Sequence, residues 1–385
     1  MRFVPRLLQG EIKRAARNFP ALILTGPRRA GKTTLLRRLF PKTAYRLIED
    51  PDIASRVRAD PRSFLEQTPR PVILDEIQNA PELLNYVRTL IDKKPSLKGQ
   101  WLITGSQEAP LMRGVTESMA GRAAVLQLLP LSREESPKVS LISGGFPEVL
   151  SAKRNGSLWF RSYLQTYLER DVRSMAAIRD LGTFRRFLSL LASRIGQFVN
   201  RTSLAAPLGV SVPTVSSWLN ILEVTGQIIL VSPFFENFGK RLVKSPKLYF
   251  LDSGLACHLL GIDSPTLIPR SPFHGPLFEG FVASEIVKAQ VNRGLRRELF
   301  CFRDQQGLEV DFVVPTAPGT LTLLEAKATR TLRPEMTGAL DRLAKAVHRY
   351  RTKKVVVHPG GVDAAGSTLS PGVRALPIDR ILEIF

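Results

Sequence analysis

Eight residues near the start of the chain, Gly26, Pro27, Arg28, Arg29, Ala30, Gly31, Lys32 and Thr33, satisfy the spacing G-x-x-x-x-G-K-[ST]. The chemistry that needs this order is the handling of a phosphate chain. Its glycines let the backbone wrap the phosphates, and the amides at the start of the following helix point at the anion. In such a loop the lysine reaches the β and γ phosphates and the threonine hydroxyl ligates Mg²⁺, so residues 26 to 34, with Thr34 as the last, form the candidate nucleotide cradle. Hydrolysis then requires a second strand that ends in carboxylates. Residues 71 to 76, PVILDE, supply it: Asp75 to hold Mg²⁺ through water and Glu76 to polarise the attacking water.

A second set of chemically capable residues lies in the last third of the chain. Glu279 sits in a helix expected over residues 277–291, which places it and Glu285 on a partly apolar surface, and Asp311 sits in a strand over 308–314. Glu325 and Lys327 lie two apart in a strand over 321–327, so they project to the same side. Three carboxylates beside one lysine is a layout with which nucleases bind Mg²⁺ and activate water against a phosphodiester.

The elements that must position these groups can be read from periodicity. Ala21 to Thr25 is a short apolar run that reads as a buried strand, and residues 32–40 read as a helix with Leu35, Leu36 and Leu39 on one face. Further strands are expected at 72–74, 101–107 and 123–128. Helices are expected over 158–173 and 184–195. Residues 202–234 then read as a helix, a turn at Gly209, a second helix over 213–223 and a strand, the outline of a winged helix-turn-helix. The second helix has no lysine or arginine between 212 and 222, unlike a helix built to read a groove. The basic residues gather instead in the expected wing, where Lys240, Arg241, Lys244 and Lys247 could track a nucleic-acid backbone.

The charge balance agrees with a polyanionic partner. The chain has 385 residues, 55 of them basic and 34 acidic, for a net charge of +21, and residues 151–250 alone carry 14 basic against 5 acidic. Largely non-sequence-specific DNA binding is the expected consequence. Two cysteines and four histidines show no metal-ligand spacing, which argues against a zinc or disulfide framework and favours a reducing cytoplasm. No apolar stretch suits a signal peptide or a membrane span, so export and membrane insertion are not expected.

The stretches LTGPRRAGKTTLL, VILDEIQNAP, LITGSQ, AGRAAVLQLLPLS, GGFPE, YLERDV, KSPKLYFLDSGL, FEGFVASEI, EVDFVV and LLEAKA occur in consistent order over nearly the whole chain. In them the sequence resembles bacterial and archaeal AAA-type ATPases that carry a winged helix and a PD-(D/E)xK nuclease-like domain. The resemblance implies an α/β P-loop core with a parallel sheet over 1–135, a helical and winged-helix segment over 136–265, and an α/β restriction-endonuclease-like domain over 266–385. It implies ATP and Mg²⁺ as ligands. It puts Ser106, with Thr104 and Gln107 as neighbours, where such enzymes contact the γ-phosphate or the water. Arg122, in preference to Arg113, takes the place of an arginine that acts on the nucleotide of a neighbouring subunit. A homo-oligomer follows from that role, with a hexameric ring as one form.

Overall fold

Strand β1 (Ala21–Thr25) is buried along its whole length because it is flanked by a strand on each side in a sheet covered on both faces. The computed structural model describes residues 3–105, 119–151, 156–168, 180–234, 244–360 and 368–385. Around β1 the first sheet is completed by β2 (Ala44–Leu47), β3 (Val72–Asp75), β4 (Trp101–Thr104) and β5 (Ala123–Gln127), in the order β2-β3-β4-β1-β5. Every pairing in it is parallel, as expected.

Alternation along these strands assigns side chains to the two faces. Ala21, Ile23, Leu74 and Ile103 pack on one side with Leu84 and Val87 of a helix over Leu83–Lys93. Leu22, Leu24, Ile73 and Leu102 pack on the other, against Leu8 and Ile12 and against Leu35 and Leu36. The last two belong to the helix that leaves the glycine-rich loop, α1 (Lys32–Leu39), one residue shorter than expected. The parallel strands all run toward one edge, and the loop and Asp75 both stand there.

Beyond β5 the chain forms a second body. Helix α2 (Pro147–Ser151) leads to α3 (Gly156–Tyr163), which continues as a π-helical turn to Leu168; the rest of the helix expected over 158–173 lies outside the described residues. Helix α4 (Leu181–Ala192) follows. The expected helix, turn at Gly209, helix and strand are present, as α5 (Arg201–Ala205), α6 (Val212–Val224) and β6 (Ile228–Pro233), with Gly209 left-handed at φ near 65°. Ser211 caps α6 by accepting from the Thr214 amide at 3.2 Å, and Pro213 opens its first turn. Val215, Trp218, Leu219 and Leu222 are buried, so the apolar residues of this helix are spent on packing along one face.

Strand β7 (Lys247–Phe250) pairs antiparallel with β6, and the pair joins a larger sheet. After α7 (Ser253–Leu259) and α8 (His274–Val291) come β8 (Phe300–Arg303), β9 (Glu309–Ala317) and β10 (Thr320–Ala326). Then follow α9 (Gly338–Ala346), β11 (Arg351–His358), β12 (Thr368–Ser370) and β13 (Val373–Pro377). The eight strands run β12-β13-β11-β10-β9-β8-β6-β7, with β6 attached to β8 through Ser232 opposite Phe300 and Pro233 opposite Cys301. One apolar core extends from Phe184, Trp218 and Tyr249 through Phe281 to Val314 and Ile378, so sheet and core both continue across residue 265. Helix α8 is buried on nearly every side at its centre. No described helix is long and apolar enough to cross a membrane.

Candidate functional site

Gly26 leaves β1 with φ near 134°, and a Cβ at this position would run into the carbonyl oxygen of Leu128. Only glycine permits so close an approach of the two strand exits. Gly31, with φ near 97°, precedes α1 and turns the chain into the helix. Lys32 is 5% exposed and lies back across the loop, its Nζ donating to the carbonyls of Gly26 at 2.9 Å and Pro27 at 3.0 Å. Beneath the loop lies a cation with no motif to announce it. Arg6 is buried and donates to the Ala30 carbonyl at 3.0 Å, the Leu129 carbonyl at 2.6 Å and Glu135 at 2.9 Å. It ties the cradle to the chain leaving β5.

At the end of β3, Asp75 is the hub of the polar groups. It accepts from the Thr33 hydroxyl at 2.9 and 3.0 Å, from the Tyr45 phenol at 2.7 Å, and from the Thr104 hydroxyl. Burial, together with the hydrogen bond to Asp75, raises the Tyr45 phenol above its ordinary range and keeps it a neutral donor. Thr104 also accepts from the Glu76 amide at 3.2 Å and so orients the turn that carries the next carboxylate. Glu76 has φ near 57°, a left-handed conformation that is uncommon for such a residue and frequent at active sites. Its carboxylate takes a hydrogen bond from Gln78 and stands 4.0 Å from Arg28 of the loop. Oxygen donors such as the Thr33 hydroxyl and Asp75 carboxylate, already in contact, suit a hard cation such as Mg²⁺.

The cleft over the loop has a volume of about 570 Å³ and is lined by Lys32, Thr33 and Glu76 on one side and by Phe3, Pro147 and Glu148 on others. The second body therefore helps to close it. Arg29 of the loop pairs with Glu148 of α2 at 3.0 Å, and the Trp159 indole of α3 donates to the same carboxylate at 2.8 Å. Gly226, in the turn between α6 and β6, lies against Pro27: a Cβ there would come within 3.0 Å of the proline ring.

Ser106, Gln107 and Arg113 lie outside the described residues. Thr104 is wholly buried beneath Asp75. Arg122 stands at the opposite edge of the sheet from its own loop, since its carbonyl accepts from the Ala21 amide at the beginning of β1. Its guanidinium forks onto Asp92 at 2.6 and 3.0 Å.

In the larger sheet Glu279, Asp311, Glu325 and Lys327 come together, and with them a residue expected elsewhere. Lys247 is not an exposed wing residue: it is 3% exposed at the start of β7, with its Nζ 2.7 Å from Glu279, 2.6 Å from Glu309 and 3.5 Å from Asp311. The attraction of three carboxylates outweighs hydration here. Of the other wing residues, Lys244 is exposed, while Lys240 and Arg241 lie outside the described residues. Asp311 also accepts from the Ala326 amide at 2.9 Å, and Lys327 pairs with Glu325 at 2.5 Å. Burial and the neighbouring Asp311 raise Glu279 to about 8 and Glu325 to about 7, against the pull of Lys247 on the first and Lys327 on the second. Among the described residues no group of three His, Cys, Asp or Glu side chains is disposed to hold a metal ion. Glu285 is not at a surface: it is buried, paired with Lys288 at 3.1 Å and accepting from the Arg133 amide at 2.8 Å.

The loop, the carboxylate-tipped strand that β4 separates from β1, and the parallel sheet define an AAA-type P-loop ATPase domain, and an AAA domain family matches residues 18–136. Two domains of unknown function match residues 135–266 and 274–381. The chain belongs to the family of the uncharacterized protein Rv2008c of Mycobacterium tuberculosis, with which it is 33% identical over 382 residues, covering 96% of this chain and 83% of that protein. The uncharacterized protein Mb2031c of Mycobacterium bovis matches with the same figures. Among solved structures, a Walker-type ATPase of Pyrococcus abyssi is 16% identical with a TM-score of 0.41, covering 66% of this chain and 94% of its own. The Orc1 protein of Aeropyrum pernix in complex with DNA is 14% identical with a TM-score of 0.30, covering 68% and 93%.

Proposed function

We propose that the chain binds ATP with Mg²⁺ and hydrolyses it, as a homo-oligomer that associates with DNA. The observation that carries the reading is the contact of Thr33 with Asp75 at the mouth of a glycine-shaped loop, with Glu76 on the next residue. Lys32 is placed to exchange its bonds to loop carbonyls for β and γ phosphate oxygens, and the amides of the loop and of α1 hold the phosphates. Thr33 and Asp75 would hold Mg²⁺, which supplies charge neutralisation on those oxygens. Glu76 orients and polarises the attacking water, with its backbone fixed by Thr104. The net charge of +21 supports a polyanionic partner, and the cytoplasm is the proposed compartment.

The test is phosphate release by the full chain, with and without duplex DNA, at two salt concentrations, against a Lys32→Ala control. Release above the control is expected, stimulated by DNA at low salt and less so at high salt, because phosphate contacts release counterions. No release above the control in any condition refutes the reading.

Arg122 is proposed to act across a subunit boundary, since it stands at the far edge of the sheet from its own cradle. Arg122→Ala should keep nucleotide binding and lose turnover by about 10³-fold, the lower range for an arginine finger. An unchanged rate removes the role.

A second reading, an ATP-controlled switch, draws on the Arg29–Glu148–Trp159 chain and the Pro27–Gly226 contact, which tie the loop to the second body. Slow turnover with retained nucleotide distinguishes it from DNA-stimulated hydrolysis.

A further inference from the structure

The cluster of side chains at the larger sheet has the residue types of a divalent-cation site, but a cation already stands among them. Glu279 comes from α8, Glu309 and Asp311 from β9, and all three point at one ammonium. A lysine ammonium has three donors and no acceptor, and here three carboxylates surround it. A Mg²⁺ ion ligated by the Glu279 and Asp311 oxygens that face Lys247 would lie about 2.0–2.1 Å from them, and so close against the ammonium, which stands 2.7 Å from the first and 3.5 Å from the second. The two cations would also repel one another at short range with little water to screen them.

The position of Lys247 is determined by backbone on both sides. Its strand pairs with β6, where Val231 lies opposite Lys247, and with the segment 196–199, where the Val199 amide donates to Pro246 and the Leu248 amide to Gln197. The Phe198 ring lies 5.9 Å from Nζ on a further side. Glu325 is served separately by Lys327. Each carboxylate of the nuclease-like set thus has a lysine against it.

We infer that Lys247 is the resident cation of this cluster, so that the chain as it stands takes no divalent metal there and does not cleave nucleic acid by a metal-dependent route through Glu279, Asp311 and Glu325. This goes beyond the ATPase reading and does not depend on it. In this assignment the residues of a hydrolytic site serve as an electrostatic clasp joining β7 to α8 and β9.

The test uses the nucleotide-free full chain and Mn²⁺ as probe, in calorimetric titration and thermal melting. Wild type should show no Mn²⁺ binding that Asp311→Asn removes. Lys247→Met should gain one Mn²⁺ site per chain, at least tenfold tighter than any in wild type and lost again in Lys247→Met/Asp311→Asn. Mn²⁺ should raise the melting temperature of Lys247→Met and leave that of wild type unchanged. A wild-type Mn²⁺ site sensitive to Asp311→Asn, or Mn²⁺-dependent DNA cleavage by wild type with that sensitivity, overturns the inference. Because both observations are made on wild type, they decide the matter even where Lys247→Met does not fold. A folded Lys247→Met that gains no site overturns it equally.

Discussion

Glu76→Gln is expected to lower the rate of ATP hydrolysis by about 10²–10⁴-fold, the usual loss when a positioned base is removed, while nucleotide affinity changes little. The split follows from geometry. Phosphate and metal contacts are assigned to the loop amides, Lys32, Thr33 and Asp75, none of which the substitution touches. Glutamine keeps the length of the side chain and can still orient a water, but it cannot take part of the proton's charge. Glu76 also stands 4.0 Å from Arg28 and accepts from Gln78, so some reorganisation of both is expected when water and phosphate arrive. Single-turnover phosphate release alongside equilibrium binding of a fluorescent ATP analogue separates the two effects. A rate within threefold of wild type would remove Glu76 from the chemistry, and equal losses of binding and rate would mean that it acts in the ground state.

The second large effect is on stability. Lys288 is 1% exposed, and its Nζ bonds Glu285 and the Leu131 carbonyl, each at 3.1 Å. Glu285 in turn accepts from the Arg133 amide, so this buried pair fastens α8 to the chain that leaves the first sheet. Lys288→Met would strand the Glu285 carboxylate in the core. Breaking a buried pair from one side costs about 3–5 kcal/mol, which in a body of this size corresponds to a fall of roughly 6–20 °C in its melting temperature. Glu285→Gln/Lys288→Met should recover much of the loss, because the amide carries no charge to leave uncompensated. Scanning calorimetry of the three proteins checks this. A melting temperature for Lys288→Met within 2 °C of wild type would show that water reaches the pair.

What the sequence made legible was local. The loop from Gly26 to Thr33 and the Asp75–Glu76 pair are short patterns in which residue type and spacing carry the chemistry, and the flanking apolar runs placed their strands to within a residue or two. Tyr45 and Arg6 could not be found this way. Each acts on the site through a side chain whose partner is 24 to 129 positions away, with no repeat or spacing to mark it. Lys247 shows the same limit from the other side. In a run with Lys240, Arg241 and Lys244 it reads as one more solvated charge, and only Glu279, Glu309 and Asp311, brought in from later elements, draw it inward. Glu285 was misplaced for a related reason: a carboxylate on an apolar helix reads as surface until its lysine three residues on is seen to be buried with it.

A methyl group at Gly226 would lie 3.0 Å from the Pro27 ring, tighter than ordinary contact. The loop and the turn are in close contact, so a loop that widens around a ligand would press on the turn. Because β6 begins two residues later and forms the seam between the edge hairpin and the remaining strands, that seam is the first part of the larger sheet such a push would meet.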